Sequence, residues 1–194
     1  MPQEEISSGT AGRPGAHPGE QLDAREIVMG LHWDPPQEPA QEAPPDLDAA
    51  CVLFDMHGRI LEIVGPGRLR NANGSVIHTG DSRTGASTWD DEQIFVFVQA
   101  LPESVAAMKW VVMNAGHKPW REIAGASCHL SDHATATECV RLDLTKLEAH
   151  AAHAVGTLWR SPVGWRLSAG PEKVHEAILA ELSHIIQSSK SADL

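Results

Sequence analysis

The chain is punctuated at short intervals. Between residues 25 and 168 its apolar residues fall into nine runs of five to nine residues, bounded by Gly, Pro, Asn, Asp or Ser. Runs of that length with turn residues at their ends read as β-strands. They cover 25–33, 47–55, 59–65, 93–101, 108–114, 126–130, 138–144, 154–160 and 164–168. Met56-His57-Gly58 between the second and third predicts a β-hairpin. QIFVFVQAL at 93–101 is apolar at both parities, which predicts a central strand. Short helical turns are expected at 102–107 and 120–124. No helix alternates regularly with strand, so a doubly wound parallel sheet is excluded. The expected class is all-β, an antiparallel β-sandwich.

The ends read differently. Residues 1–24 are rich in Pro, Gly, Glu and Ser and have no apolar period, so they are expected to be a disordered tail. DPPQEPAQEAPP at 34–45 holds five prolines, which cannot supply ladder donors, and reads as a surface loop. Residues 171–187 open with Pro171 and Glu172 and carry Val174, Ile178, Leu182 and Ile185 at helical spacing. That pattern predicts an amphipathic helix packed on the sandwich. The expected organisation is a tail at 1–24, a sandwich at 25–170, and a helix with a short tail at 171–194.

The formal net charge is −11, from 15 Lys plus Arg against 26 Asp plus Glu. This balance argues against nucleic acid or an anionic membrane as partner, because phosphate contact needs clustered Lys and Arg. Residues 1–45 hold eight acids and two bases, so −6 of the total lies there. Cys51, Cys128 and Cys139 are too few and odd in number for a disulfide framework. They fit a reducing compartment. The opening MPQEEISSGT lacks a basic and an apolar region, so no signal peptide is expected, and no run is long enough to span a membrane. A cytoplasmic protein is expected.

Two acidic segments carry the functional signal. In PDLDA at 45–49, Asp46 and Asp48 are two apart and point to the same side of an extended chain. In HTGDSRTGASTWDDEQ at 78–93, Asp81 precedes a glycine-containing loop, and Asp90, Asp91 and Glu92 form a run before the most apolar strand, with Asp90 and Glu92 expected on one side if that entry is extended. Like charges this close repel unless a cation neutralises them. Oxygen ligands on flexible loops suit Ca²⁺ better than Mg²⁺, and the spacing is not that of an EF-hand.

At these residues the sequence resembles the TerD family of tellurium-resistance and stress-response proteins. The stretches that carry the resemblance are GLHWD (30–34), DLDAACVLFDMHGRI (46–60), GSVIHTGDSRTG (74–85), DDEQIFVFVQALP (90–102) and LWRSPVGWRLSAG (158–170). The resemblance implies a calcium-binding β-sandwich with no enzymatic reaction, working with protein partners in a stress-response complex. It carries metal ligation over to Asp46, Asp48, Asp81, Asp90, Asp91 and Glu92. Where the family has Asn after Gly-Asp, this chain has Ser82. Where it has a further Asp and Gly, this chain has Thr88 and Trp89. Fewer charged ligands imply weaker affinity, with one or two ions bound.

Other chemistries find little support. His129–His133 and His150–His153 are too few ligands for a zinc site. No GxSxG elbow and no P-loop pattern is present. The alternative to a calcium protein is a metal-free interaction protein acting through its tail or C-terminal helix.

Overall fold

The computed structural model describes residues 19–36, 44–116 and 118–191. Residues 1–18, the centre of the proline-rich loop at 37–43, residue 117 and the last three residues lie outside that description, and most of the expected tail lies there with them.

Eleven strands form two antiparallel sheets. In chain order they are β1 (Glu20–Leu22), β2 (Glu26–His32), β3 (Leu47–Phe54), β4 (Ile60–Val64), β5 (Val76–His78), β6 (Glu92–Phe97), β7 (Ala107–Asn114), β8 (Ser127–Asp132), β9 (Thr137–Asp143), β10 (Ala152–Ser161) and β11 (Gly164–Lys173). One sheet has the order β1-β11-β10-β7-β3-β4 and the other β5-β6-β2-β8-β9. Short 3-10 turns follow β6 at Val98–Ala100, precede β8 at Trp120–Glu122 and follow β9 at Leu144–Lys146. The all-β sandwich expected from the punctuation is what the chain adopts.

Alternation builds the main core. Ile27, Met29 and Leu31 of β2, Ile94 and Val96 of β6, and Cys128 and Leu130 of β8 meet Leu47, Ala49, Cys51 and Leu53 of β3 between the sheets. The other parity of β3 is buried too, because Ala50, Val52 and Phe54 lie in a second core under the C-terminal helix. β6 differs from expectation. It is an interior strand, but Gln93 and Phe95 are half-exposed, since no helix or further sheet among the described residues packs over the outer side of its sheet.

Both ends need correction. The sandwich begins before residue 25, since β1 pairs with β11 through Glu20–Leu167, Gln21–Arg166 and Leu22–Trp165. Three residues cannot make a strand alone, but an available edge supplies the partner. At the other end Pro171 starts no helix. It lies in β11, where Ala154 pairs with Glu172 and Gly156 with Ala169, leaving Gly170 and Pro171 opposite Val155 alone. The bulge absorbs a residue that has no N–H to give. Helix α1 runs instead over Glu176–Ser191.

The apolar stripe of α1 faces inward as expected, with Leu182 and Ile186 buried and Ile178, Leu179 and Ile185 packed beside them on β3, β7 and β10. His150 fixes the start of this segment by donating Nε2–H to Val174 O (3.0 Å). No helix among the described residues is long and apolar enough to cross a membrane.

Candidate metal centre

The segment before β3 and the loop after β5 come from different sheets, and the sandwich brings them together. Asp46, Asp48 and Asp81 each offer a carboxylate oxygen, and the three atoms lie within 4.8 Å of one another. Asp48 is fully buried and the other two are half-buried. Asp81 Oδ2 accepts a hydrogen bond from Arg83 Nε (3.1 Å), while its Oδ1 is buried and accepts none. Two charges at such a separation repel by about 3 kcal/mol at an effective dielectric of about 20. All three donors are hard oxygens, which fits a calcium-like ion and not a soft one.

Glu92 does something else. Its carboxylate is fully buried and already accepts three hydrogen bonds: from Ala49 N–H (2.8 Å) and His78 Nε2 (3.2 Å) on Oε2, and from Ser82 N–H (3.0 Å) on Oε1. Gly80 N–H donates to His78 Nδ1 (3.0 Å), so the proton of this imidazole sits on Nε2 and points at Glu92. Ala49 follows Asp48 and Ser82 follows Asp81. Glu92 therefore clamps together the two segments that carry the clustered carboxylates.

Asp91 holds the next part of the loop. Its side chain is buried, Oδ2 accepts Trp33 N–H (3.1 Å) and lies 2.9 Å from His32 Nδ1, and Oδ1 accepts Ser87 N–H (3.0 Å). Asp90 turns to the outer side of the five-stranded sheet. There Oδ2 meets Gln93 Nε2 (2.9 Å) and His129 Nε2 (3.2 Å). Burial by itself would raise the Asp90 pKa, but the hydrogen bonds from His129 and Gln93, with the charges of His129 and Arg141, outweigh it and hold the pKa below the usual aspartate value. The pair crosses β2 over Gly30, where a Cβ would come within 2.3 Å of both groups.

The six acids named from the sequence thus divide. Asp46, Asp48 and Asp81 converge, whereas Asp90, Asp91 and Glu92 are engaged elsewhere. Thr88 and Trp89 stand exposed on the loop, Trp89 with 83% of its surface in solvent. Sequence reasoning missed His78 and His32, although HTGDS placed His78 three residues before Asp81. It also missed Gly85, whose φ of 61° is left-handed and whose missing Cβ would lie 2.5 Å from the Trp33 ring. Gly85→Ala is expected to cost about 1–3 kcal/mol in urea unfolding, from backbone strain and the overlap with a buried indole. Unchanged stability would mean that the loop does not rest on Trp33.

Comparison with known proteins agrees with this architecture. The family model described as "TerD domain" matches residues 18–185. Tellurium resistance protein TerD of Alcaligenes sp is 31% identical over 153 residues, covering 75% of this chain and 79% of that one. Tellurium resistance protein TerZ of Serratia marcescens is 29% identical over 151 residues (74% and 78%). General stress protein 16U of Bacillus subtilis (strain 168) is 28% identical over 152 residues (74% and 78%). The crystal structure of a homologue of telluride resistance protein from Streptomyces coelicolor A3(2) superposes with a TM-score of 0.70 at 20% identity, covering 81% of this chain and 95% of that one, and so shares the fold. With a match that spans the sandwich and most of α1, the chain belongs to the TerD family.

Proposed function

We propose that this protein is a non-enzymatic stress-response protein of the tellurium-resistance type that binds one Ca²⁺ through Asp46, Asp48 and Asp81. The observation that carries the reading is the convergence of these three carboxylates from two sheets. Backbone carbonyls and water complete such a shell, since Ca²⁺ takes six to eight oxygens. A single ion is proposed because these three are the one group of convergent carboxylates among the described residues. The cation removes the mutual repulsion of the cluster and stabilises the folded state by mass action. Ordered loops then form a calcium-dependent surface for protein partners. Free Cys51, Cys128 and Cys139 suit work in a reducing cytoplasm. The metal-free alternative through α1 is less favoured, because the apolar stripe of α1 is already buried on the sheet.

Calorimetric titration of chelator-treated protein tests this reading. Binding of one equivalent of Ca²⁺ and a rise in melting temperature are expected, with Asp48→Asn and Asp81→Asn abolishing both. No heat and an unchanged melt at about 1 mM Ca²⁺, the weak end of natural calcium sites, would sink the reading.

A further inference from the structure

A cleft of about 450 Å³ opens between residues 114–116 and 118–121 on one side and the loop at 147–151 on the other. Its walls are apolar, from Trp120 and Leu147, and its polar groups are Asn114, Lys118, Arg121 and His150. Among the described residues no Asp or Glu lines it. In a chain of 26 acids and 15 bases, a hollow whose described lining has two cations and no carboxylate is a marked local reversal of charge.

Lys118 differs from three other lysines. Lys109 pairs with Glu172, Lys146 with Asp143 and Lys173 with Glu148, whereas half-buried Lys118 has no carboxylate within ion-pair distance among the described residues. An ammonium without a counter-charge is a ready partner for an incoming anion. Arg121 meets only its neighbour Glu122, through one nitrogen at 3.3 Å on the solvent side, which leaves most of its donor fork available.

The cleft is also pre-shaped. Trp120 is buried, and its Nε1–H donates to His150 O (2.8 Å), tying one wall to the other. Asn114 Nδ2 donates to Lys118 O (2.7 Å) and Asn114 Oδ1 accepts Gly116 N–H (3.1 Å), which fixes the backbone that carries the lysine. Side chains held before the ligand arrives lose less entropy on binding.

We propose that this cleft binds a small organic anion, its carboxylate or phosphate on Lys118 and Arg121 and its flat apolar body against Trp120 and Leu147. The proposal does not depend on the cation reading, because no carboxylate of the metal cluster lines the cleft. The charged rim selects the anion and the apolar walls select the body, as in small-molecule sites generally.

The test uses the full chain in chelator, titrated with phenyl phosphate and with benzoate, and with phenethylamine as the cationic counterpart. Both anions should shift the Trp120 indole N–H resonance and give a saturable isotherm, while phenethylamine should not. The double change Lys118→Ala with Arg121→Ala should weaken binding at least about tenfold while leaving the melting temperature unchanged, since the cleft walls are held by the Asn114 and Trp120 hydrogen bonds and not by either cation. Arg59→Ala, on the β3–β4 hairpin, should leave affinity unchanged. The proposal is overturned if the Trp120 resonance does not move at about 10 mM of either anion, a range that detects even millimolar affinity. It is equally overturned if the double variant binds as the parent does, or if phenethylamine binds as well as the anions. A loss of calcium binding elsewhere leaves these outcomes untouched, since every titration is run without calcium.

Discussion

Glu92→Ala will lower the unfolding free energy by about 3–5 kcal/mol even with chelator present, because it strips the acceptor from two buried donors and a third that is partly buried. Those donors are Ala49 N–H, His78 Nε2–H and Ser82 N–H, at 2.8, 3.2 and 3.0 Å from the carboxylate. The bonds from Ala49 and His78 are buried, so those two donors cannot replace the lost acceptor without local opening, whereas Ser82 N–H is only partly buried. The measurement is urea unfolding of parent and variant in chelator. That condition separates a clamp from a ligand. A ligand removed from an ion-free site relieves repulsion and leaves stability unchanged or raised, whereas a clamp removed costs stability whether or not the ion is there. Glu92→Gln should lie between, since its amide keeps one acceptor and turns a donor toward the other N–H group. Calcium affinity should fall with both variants, because Asp48 and Asp81 lose the tie that sets their spacing. A loss below about 1 kcal/mol for Glu92→Ala in chelator would show that the two segments are joined by other means.

Leu182→Ala carries the second large effect, a loss of about 2–4 kcal/mol typical of a fully buried leucine truncated to alanine. Leu182 has no exposed surface and sits with Ile186 and Val174 against Ala50, Val52, Val111, Ala152 and Ala154. That outer layer is built largely from small residues, so its neighbours have little side chain with which to fill the gap. The variant should keep its calcium stoichiometry, since α1 supplies no carboxylate to the cluster. Thermal or urea unfolding reads the loss. A change of under about 1 kcal/mol would mean that α1 is not tightly docked, and would return the helix to the role of a partner-binding element.

These two substitutions also mark where sequence and structure part company. The stripe of α1 was legible, because apolar spacing survives whatever the helix packs against. Its first residue was not. Pro171 and Glu172 form a sound local start signal, yet β10 is ten residues long and offers β11 a partner through Lys173. Pairing with a neighbouring strand outweighed a local preference worth about 1 kcal/mol. β1 was missed for the same reason: Glu20–Leu22 has no strand pattern of its own and is ordered by the edge of β11.

The candidate site was legible as composition and illegible as geometry. Alternation alone put Asp46 and Asp48 on one side, and the motif around Asp81 drew attention to its loop. Nothing local could say that Glu92 would turn inward and collect backbone N–H groups, while Asp90 would turn outward to His129. Asp90 and Glu92 would share one side of an extended chain, but Asp90 and the bend at Asp91 precede β6, so alternation reaches only Glu92, whose facing is set by the strand's register. That register comes from pairing with β2, in which Leu31 lies opposite Glu92 and Gly30 opposite Gln93. The sequence by itself determined the antiparallel sandwich, the apolar stripe of the helix and the stock of hard oxygen ligands, because strand length, punctuation and periodicity are local properties. Only the tertiary structure decided which carboxylates meet, which ones tie loops together and where the cationic cleft opens, because each of those depends on segments far apart in the chain being brought within a few ångströms.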